Sequence, residues 1–160
     1  MKVYDLPTKG IFLTIFSKLP YKFYILKLLG LVFRFTIRKS DDMSGFLISD
    51  SKTSIHFSVL SRGTLYIPSP KARVKEIGKA YGADKVNFSQ GDTVIDVGAN
   101  IGEFGLYVKS RCAMTNVISI EPEEKARVCC NLNNYAGKES TLDFAVWNQS
   151  GEFPLHLDAE

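Results

Sequence analysis

The sequence predicts an α/β protein whose carboxy-terminal half forms a parallel sheet with crossover helices. Short apolar runs at residues 93–97, 117–121 and 142–146 alternate with helical patterns at 103–112 and from Pro122 onward. Strand–helix–strand alternation is typical of parallel strands joined by helices. The chain's 160 residues, 45% of them hydrophobic, are enough for one domain with a real core.

Charge and composition divide the chain into three parts. Residues 1–40 are predicted to form a helical segment. The segment is basic, because residues 1–39 carry eight Lys or Arg against a single acid, Asp5. Residues 41–88 are predicted as a β meander and a helix that lead into the core. Residues 89–160 hold the predicted parallel sheet and the candidate binding residues.

The basic segment is apolar and aromatic over residues 11–38, where it is predicted to be mostly helical with its aromatic residues on one side. Lys18, Lys22, Lys27 and Arg34 interrupt it, so no uncharged run reaches the length of about 18 residues that a membrane span needs. Two interpretations stay open. The segment either lies on an anionic membrane surface as a basic amphipathic helix pair, or caps the domain by packing its aromatic face on it.

The middle part predicts three short antiparallel strands, at residues 46–48, 54–59 and 64–67, separated by polar turns. Pro68 and Pro70 end this meander. A helix is predicted over 71–81, because Val74, Ile77 and Tyr81 recur at helical spacing, and Gly82 suits its end.

Cysteine and histidine usage limits the function classes. Three cysteines, without a C-x-x-C pair, favour a reduced, cytoplasmic setting. The two histidines, His56 and His156, are a hundred positions apart, so no metal site is predicted. A net charge of +3 is too small to imply a nucleic-acid partner, and none is predicted.

The most informative segment is a glycine turn directly after the strand at 93–97. It reads D-x-G-x-N-x-G, with Asp96, Gly98, Asn100 and Gly102 at the defined positions. Gly98 allows a tight turn and close approach of a ligand, and Gly102 lets the next helix start close to the sheet. The helix start is expected to present free N–H groups to an anion, while Asp96 is placed to accept from an ammonium group.

Two further strand ends contribute candidate residues. Glu121 ends the second strand, 19 residues after Gly102, and an acid there typically holds the hydroxyls of a ribose. Asp143 and Ala145 lie on the third strand, at the edge where an adenine ring would lodge.

Together these segments resemble the FkbM family of S-adenosylmethionine-dependent methyltransferases. The resemblance covers roughly residues 90–157 and rests on Asp96 to Gly102, the Glu121-Pro122 pair, and the strings Asn131-Leu132-Asn133, Ala145-Val146 and Ser150-Gly151-Glu152. It implies a Rossmann-like class I methyltransferase fold and methyl transfer to a sugar or natural-product hydroxyl. Asp96, Gly98, Asn100 and Gly102 would then line the methionine part of S-adenosylmethionine, and Glu121 its ribose.

The same resemblance implies that the fold is incomplete. The family continues with a fourth strand and further strands, whereas this sequence ends at Glu160 after the first three. We therefore expect a truncated, cofactor-binding part of a methyltransferase that binds a small-molecule or saccharide acceptor, and no catalytic residue is assigned.

Two other functions remain open. One is an NAD-dependent dehydrogenase, because Asn100-x-Gly102-x-x-Gly105 approximates a dinucleotide-binding motif; the missing first glycine and the acid Asp96 argue against it. The other is a non-catalytic, membrane-associated binding module, peripheral to the inner face of the membrane, that makes contact through residues 11–38.

Overall fold

The computed structural model describes residues 21–41, 45–135, 140–152 and 154. These ranges contain an antiparallel sheet, a small parallel sheet and the helices packed around them. The elements in chain order are α1 (Lys22–Phe33), β1 (Thr36–Lys39), β2 (Phe46–Ser49), β3 (Ser54–Phe57), a first 3₁₀ helix (Leu60–Tyr66), α2 (Pro70–Ala80), a second 3₁₀ helix (Ala83–Lys85), β4 (Thr93–Val97), α3 (Glu103–Arg111), β5 (Asn116–Ile120) and α4 (Glu124–Asn134).

The meander is an antiparallel sheet in the order β1-β2-β3, but one of its strands was not predicted. The predicted strand at 64–67 falls in the first 3₁₀ helix, which is a correction. The backbone of this 3₁₀ helix packs closely against α1. A Cβ at Gly63 would overlap the side chain of Leu26. The third strand is instead β1, which pairs with β2 through contacts such as Ile37 opposite Ile48.

The helix predicted over 11–38 extends too far, because its last residues form β1. Residues 11–20 lie outside the described residues. Helix α1 ends at Phe33 because Arg34 takes a left-handed conformation, with a φ of 58°. The Phe35 N–H then bonds back to the Gly30 carbonyl, a standard way of ending a helix. The chain leaves in the extended conformation of β1.

The carboxy-terminal half contains the predicted parallel pair, β4 and β5, with Ile95 opposite Ile118. The predicted third strand over 142–146 reduces to one parallel bridge between Ile120 and Leu142, which is a second correction. The Glu121 N–H still donates to the Leu142 carbonyl at 2.9 Å, but Pro122 follows and has no N–H with which to continue the ladder. The sheet therefore narrows to a single bridge at this edge.

Helix α4 begins at Glu124, two residues later than predicted. The residue before it, Glu123, caps the helix because its carboxylate accepts from the Lys125 N–H at 2.9 Å and also from the Ala126 N–H. Pro122 thus lies in the connection between β5 and the helix.

The buried core joins α1 to the meander. Its fully buried side chains include Leu26, Ile48, Ile55, Phe57 and Tyr66. In the described part of the chain, no helix combines the length and the apolar character that crossing a membrane requires.

Candidate functional site

The glycine turn has the backbone that its residue types require. Gly98, Asn100 and Gly102 all have positive φ angles, of 71°, 50° and 83°, a region that glycine enters freely and asparagine more readily than most residues. The turn is held against the neighbouring strand, because Gly98 and Ala99 both donate to the Ile120 carbonyl, at 2.9 and 3.0 Å. The sequence motif therefore forms a rigid loop at the carboxyl ends of β4 and β5.

Glu121 is joined to this loop directly. It is buried, with 7% of its surface exposed, and its Oε2 accepts from the backbone N–H of Asn100 at 2.7 Å. Its Oε1 accepts from the N–H of Glu123 at 2.9 Å. Each carboxylate oxygen can accept a second hydrogen bond, so Glu121 is fixed in position and keeps acceptor capacity for hydroxyl donors.

Asp96 is the second carboxylate of the site, and it has fewer hydrogen-bond partners than Glu121. Its Oδ2 is buried and has no hydrogen-bond partner within the described part of the chain. Burial, and then the negative charge of Glu121, raise the pKa of Asp96 to about 6. The two strand ends thus hold a pair of carboxylates that would be stabilised by a cationic ligand.

The backbone N–H groups of the turn are bonded within the protein. Besides the donors at residues 98 and 99, Ile101 donates to the Asn100 Oδ1 at 2.9 Å and Gly102 to the Ala99 carbonyl at 2.8 Å. All five N–H groups from residue 98 to 102 are therefore used inside the protein. Only the first turn of α3, before the Leu106 bond to the Gly102 carbonyl, can offer N–H donors to an anion.

The two outer glycines of the motif differ in function. A Cβ at Gly98 would meet no atom within 4 Å, so this position faces open space. A Cβ at Gly102 would overlap the Asn134 amide and lie 2.9 Å from the Cys130 sulfur. Gly102 therefore packs between α3 and α4, as expected of a glycine that lets the helix start close to the sheet. Its place lining a cofactor stays a prediction.

Asp143 and Ala145 are exposed, in the segment that follows Leu142. The Glu121 N–H donates to the Leu142 carbonyl at 2.9 Å, which places the following residues at this edge. Asp143 and Ala145 line an open depression together with Pro122 and Trp147. The structure thus brings Asp96, Gly98, Asn100 and Glu121 together. Asp143 and Ala145 instead line the depression that begins at Pro122, and none of those four residues lines it.

Asn131 holds the segment that leads into this depression, a role the sequence did not reveal. Its Oδ1 accepts from the N–H and the Oγ1 of Thr141, at 2.9 and 2.7 Å. This contact holds the segment before Leu142 against α4 and so sets the position of the following residue, Asp143. The only signal in the sequence was the asparagine-rich string at 131–134.

Glu103 was not among the predicted site residues, although it directly follows the glycine turn. It is buried and bonds Arg73 on α2, with 3.0 Å between Oε1 and Nε. Arg62 completes the cluster, with its Nη2 3.6 Å from the Glu103 Oε2. The side chain of Glu103 is therefore an anchor between α3 and the α2 region.

The protein combines helices with a parallel and an antiparallel sheet, and it carries a glycine turn between two carboxylates at the ends of parallel strands. No family model matches the chain, and no solved structure matches it. A stretch of 62 residues is 37% identical to the AMB antimetabolite synthetase AmbE of Pseudomonas aeruginosa. That stretch is 38% of this chain but only 3% of the relative, so the similarity concerns a small piece of a much longer protein.

Proposed function

We propose that this chain is the cofactor-binding part of an S-adenosylmethionine-dependent methyltransferase. The observation that carries the proposal is the pair of carboxylates at the ends of β4 and β5, of which Asp96 has a buried oxygen without a hydrogen-bond partner in the described residues. The parallel β4–α3–β5 unit that holds them is the arrangement with which a Rossmann-like class I methyltransferase fold begins.

The charge of the site favours this cofactor over a dinucleotide. S-adenosylmethionine carries an ammonium and a sulfonium, and both are stabilised near carboxylates such as Asp96 and Glu121. A dinucleotide instead needs free N–H donors for its pyrophosphate. The N–H groups of residues 98–102 are all bonded internally, which leaves the first turn of α3 as the donor for a pyrophosphate. The carboxylates of Asp96 and Glu121 beside that turn would repel such an anion, and this argues against the dehydrogenase.

The remaining parts of the cofactor fit this group of residues and the depression that begins at Pro122. The fixed carboxylate of Glu121 suits the two ribose hydroxyls, since both of its oxygens keep a free acceptor site. The open space at Gly98 admits a ligand against the backbone, and the depression at Asp143 and Ala145 suits the adenine.

When bound, S-adenosylmethionine supplies an electrophilic methyl group, and this chain's contribution would be to hold and orient it. The acceptor follows from the FkbM resemblance: a hydroxyl of a sugar or natural product. The short similarity to a protein named as an antimetabolite synthetase supports a small-molecule acceptor.

Calorimetric titration of the chain with S-adenosylmethionine and, separately, with NAD tests the proposal. We expect binding of S-adenosylmethionine and none of NAD. Glu121→Gln should weaken binding by about 1–3 kcal/mol, the cost of a lost charged acceptor, and Asp96→Asn should weaken it similarly. Asp84→Asn, an exposed acid on the second 3₁₀ helix, is the matched control.

The outcomes separate the competing functions. Binding of NAD without S-adenosylmethionine would establish the dehydrogenase instead. Binding that is equally strong in the Asp96, Glu121 and Asp84 variants would show that the cofactor lies elsewhere. Binding of neither ligand would contradict the proposed role of this chain.

A further inference from the structure

Helix α1 presents an exposed apolar face that points away from the core. Four large side chains on it are mostly exposed: Tyr24 at 65%, Leu28 at 70%, Leu31 at 81% and Val32 at 73%. At about 100° per residue they fall on one side of the helix, opposite the buried Leu26 and Gly30. A contiguous exposed apolar patch of this kind marks an interaction surface.

Basic residues border this face on one side. Residues 21–40 contain five Lys or Arg and no acid. Within the described part of the chain, only Arg38 of these five forms an ion pair with an acid, at 2.6 Å from Asp41. Lys27 and Arg34 are exposed at one border of the apolar face. The partner must therefore combine an apolar interior with a negatively charged surface.

We propose that α1 docks this protein on the surface of an anionic lipid bilayer. An apolar face bordered by cations binds such a surface by inserting its apolar side chains among the lipids while its charges meet the headgroups. The helix has 12 residues and is about 18 Å long, well short of the bilayer's apolar thickness of about 30 Å. It therefore lies along the interface. A second copy of the chain fits less well, because it would bring the same cations face to face.

Co-sedimentation of the full chain with vesicles tests this docking. We compare vesicles of phosphatidylcholine alone with vesicles of phosphatidylcholine and phosphatidylglycerol. We expect binding to the mixed vesicles, weaker binding to the neutral ones, and a loss of the difference at high salt, which screens the charges.

Two pairs of matched variants separate the apolar and the charged contributions. The first pair tests the apolar face. A double variant with Leu28→Gln and Leu31→Gln should bind vesicles more weakly, by roughly tenfold or more for each leucine. Val86→Gln with Met114→Gln changes two exposed apolar residues elsewhere and should bind as the wild type does. Lys27→Glu with Arg34→Glu should abolish the preference for anionic vesicles. Lys75→Glu with Lys79→Glu alters net charge equally, at exposed sites on α2, and should keep that preference.

Three outcomes would overturn the proposal. The first is no sedimentation with either vesicle. The second is an equal loss in the two charge variants, which would indicate general attraction of a basic protein. The third is wild-type dimerisation in analytical ultracentrifugation that the leucine variant abolishes, without vesicle binding, which would assign the face to a second copy.

Discussion

Asn133 and His56 are 77 positions apart in the chain and bond each other twice. The His56 N–H donates to the Asn133 Oδ1 at 2.7 Å, and the Asn133 Nδ2 donates to the His56 carbonyl at 3.0 Å. The same Nδ2 donates to the Ile101 carbonyl, at 2.7 Å, in the glycine turn. One side-chain amide on α4 therefore joins the meander, the turn and the helix that follows β5.

Replacing this amide should destabilise the whole fold. Asn133→Ala leaves the His56 N–H and the carbonyls of His56 and Ile101 without their partner. We expect the free energy of unfolding to fall by about 2–4 kcal/mol, since an unsatisfied, part-buried polar group costs about 1–3 kcal/mol. Urea denaturation measures it. Asn148→Ala, at an exposed position, should change stability little; equal losses in the two variants would contradict the role of Asn133.

Gly102 should tolerate no side chain. Gly102→Ala combines a positive φ with overlap of Asn134, and we expect a loss of about 2–4 kcal/mol of stability. Gly82→Ala is the matched control, because Gly82 also has a positive φ, 68°, but open space around it. It should cost about 1 kcal/mol, the backbone strain alone. Equal midpoints in urea for the two variants would show that the contact with Asn134 is unimportant.

Gly98 should separate binding from stability. Its φ of 71° and open surroundings match those of Gly82, so Gly98→Ala should cost the same, about 1 kcal/mol of stability. The added methyl group would occupy the space through which we expect the cofactor to approach the turn. We therefore expect Gly98→Ala to lose S-adenosylmethionine binding in calorimetry while Gly82→Ala retains it. Retained binding in Gly98→Ala would place the cofactor away from this turn.

Asp96 should make stability depend on pH in the direction opposite to most carboxylates. Its pKa rises from 3.8 to about 6 on folding, so the folded state holds the proton more tightly. Stability is then greatest below about pH 4 and is lost as the pH rises through about 6. After allowance for solvent screening, the free energy of unfolding at pH 7 should be lower than at pH 4 by on the order of 1 kcal/mol on account of Asp96.

Asp96→Asn removes this effect. Urea denaturation at a series of pH values should show the variant more stable than the wild type at pH 7, with the difference vanishing near pH 4. Binding of S-adenosylmethionine to the wild type should change in the opposite sense, weakening as the pH falls below about 6 and Asp96 gains its proton. Parallel pH profiles of stability for the wild type and Asp96→Asn would contradict the assignment.

Local sequence patterns predicted much of the site. The tight turn at Gly98 and the helix start after Gly102 were predicted from the residue types, and the strand before them and the helix after them have nearly the predicted bounds. Glu121 was placed beside the turn because parallel strands end at the same edge of a sheet. The cofactor and the acceptor remain predictions.

What the sequence by itself determined is therefore what depends on neighbours in the chain: helical or strand periodicity, the glycine turn and the acids at the ends of β4 and β5. Tertiary structure decided the rest, namely that β1 completes the meander, that residues 60–66 coil as a 3₁₀ helix, that Gly102 packs on Asn134, and that the turn's N–H groups are already bonded. The physical reason is that hydrogen-bond partners and packing surfaces lie far away in the chain. An amide such as Asn133 shows nothing of its partner until folding brings His56 against it.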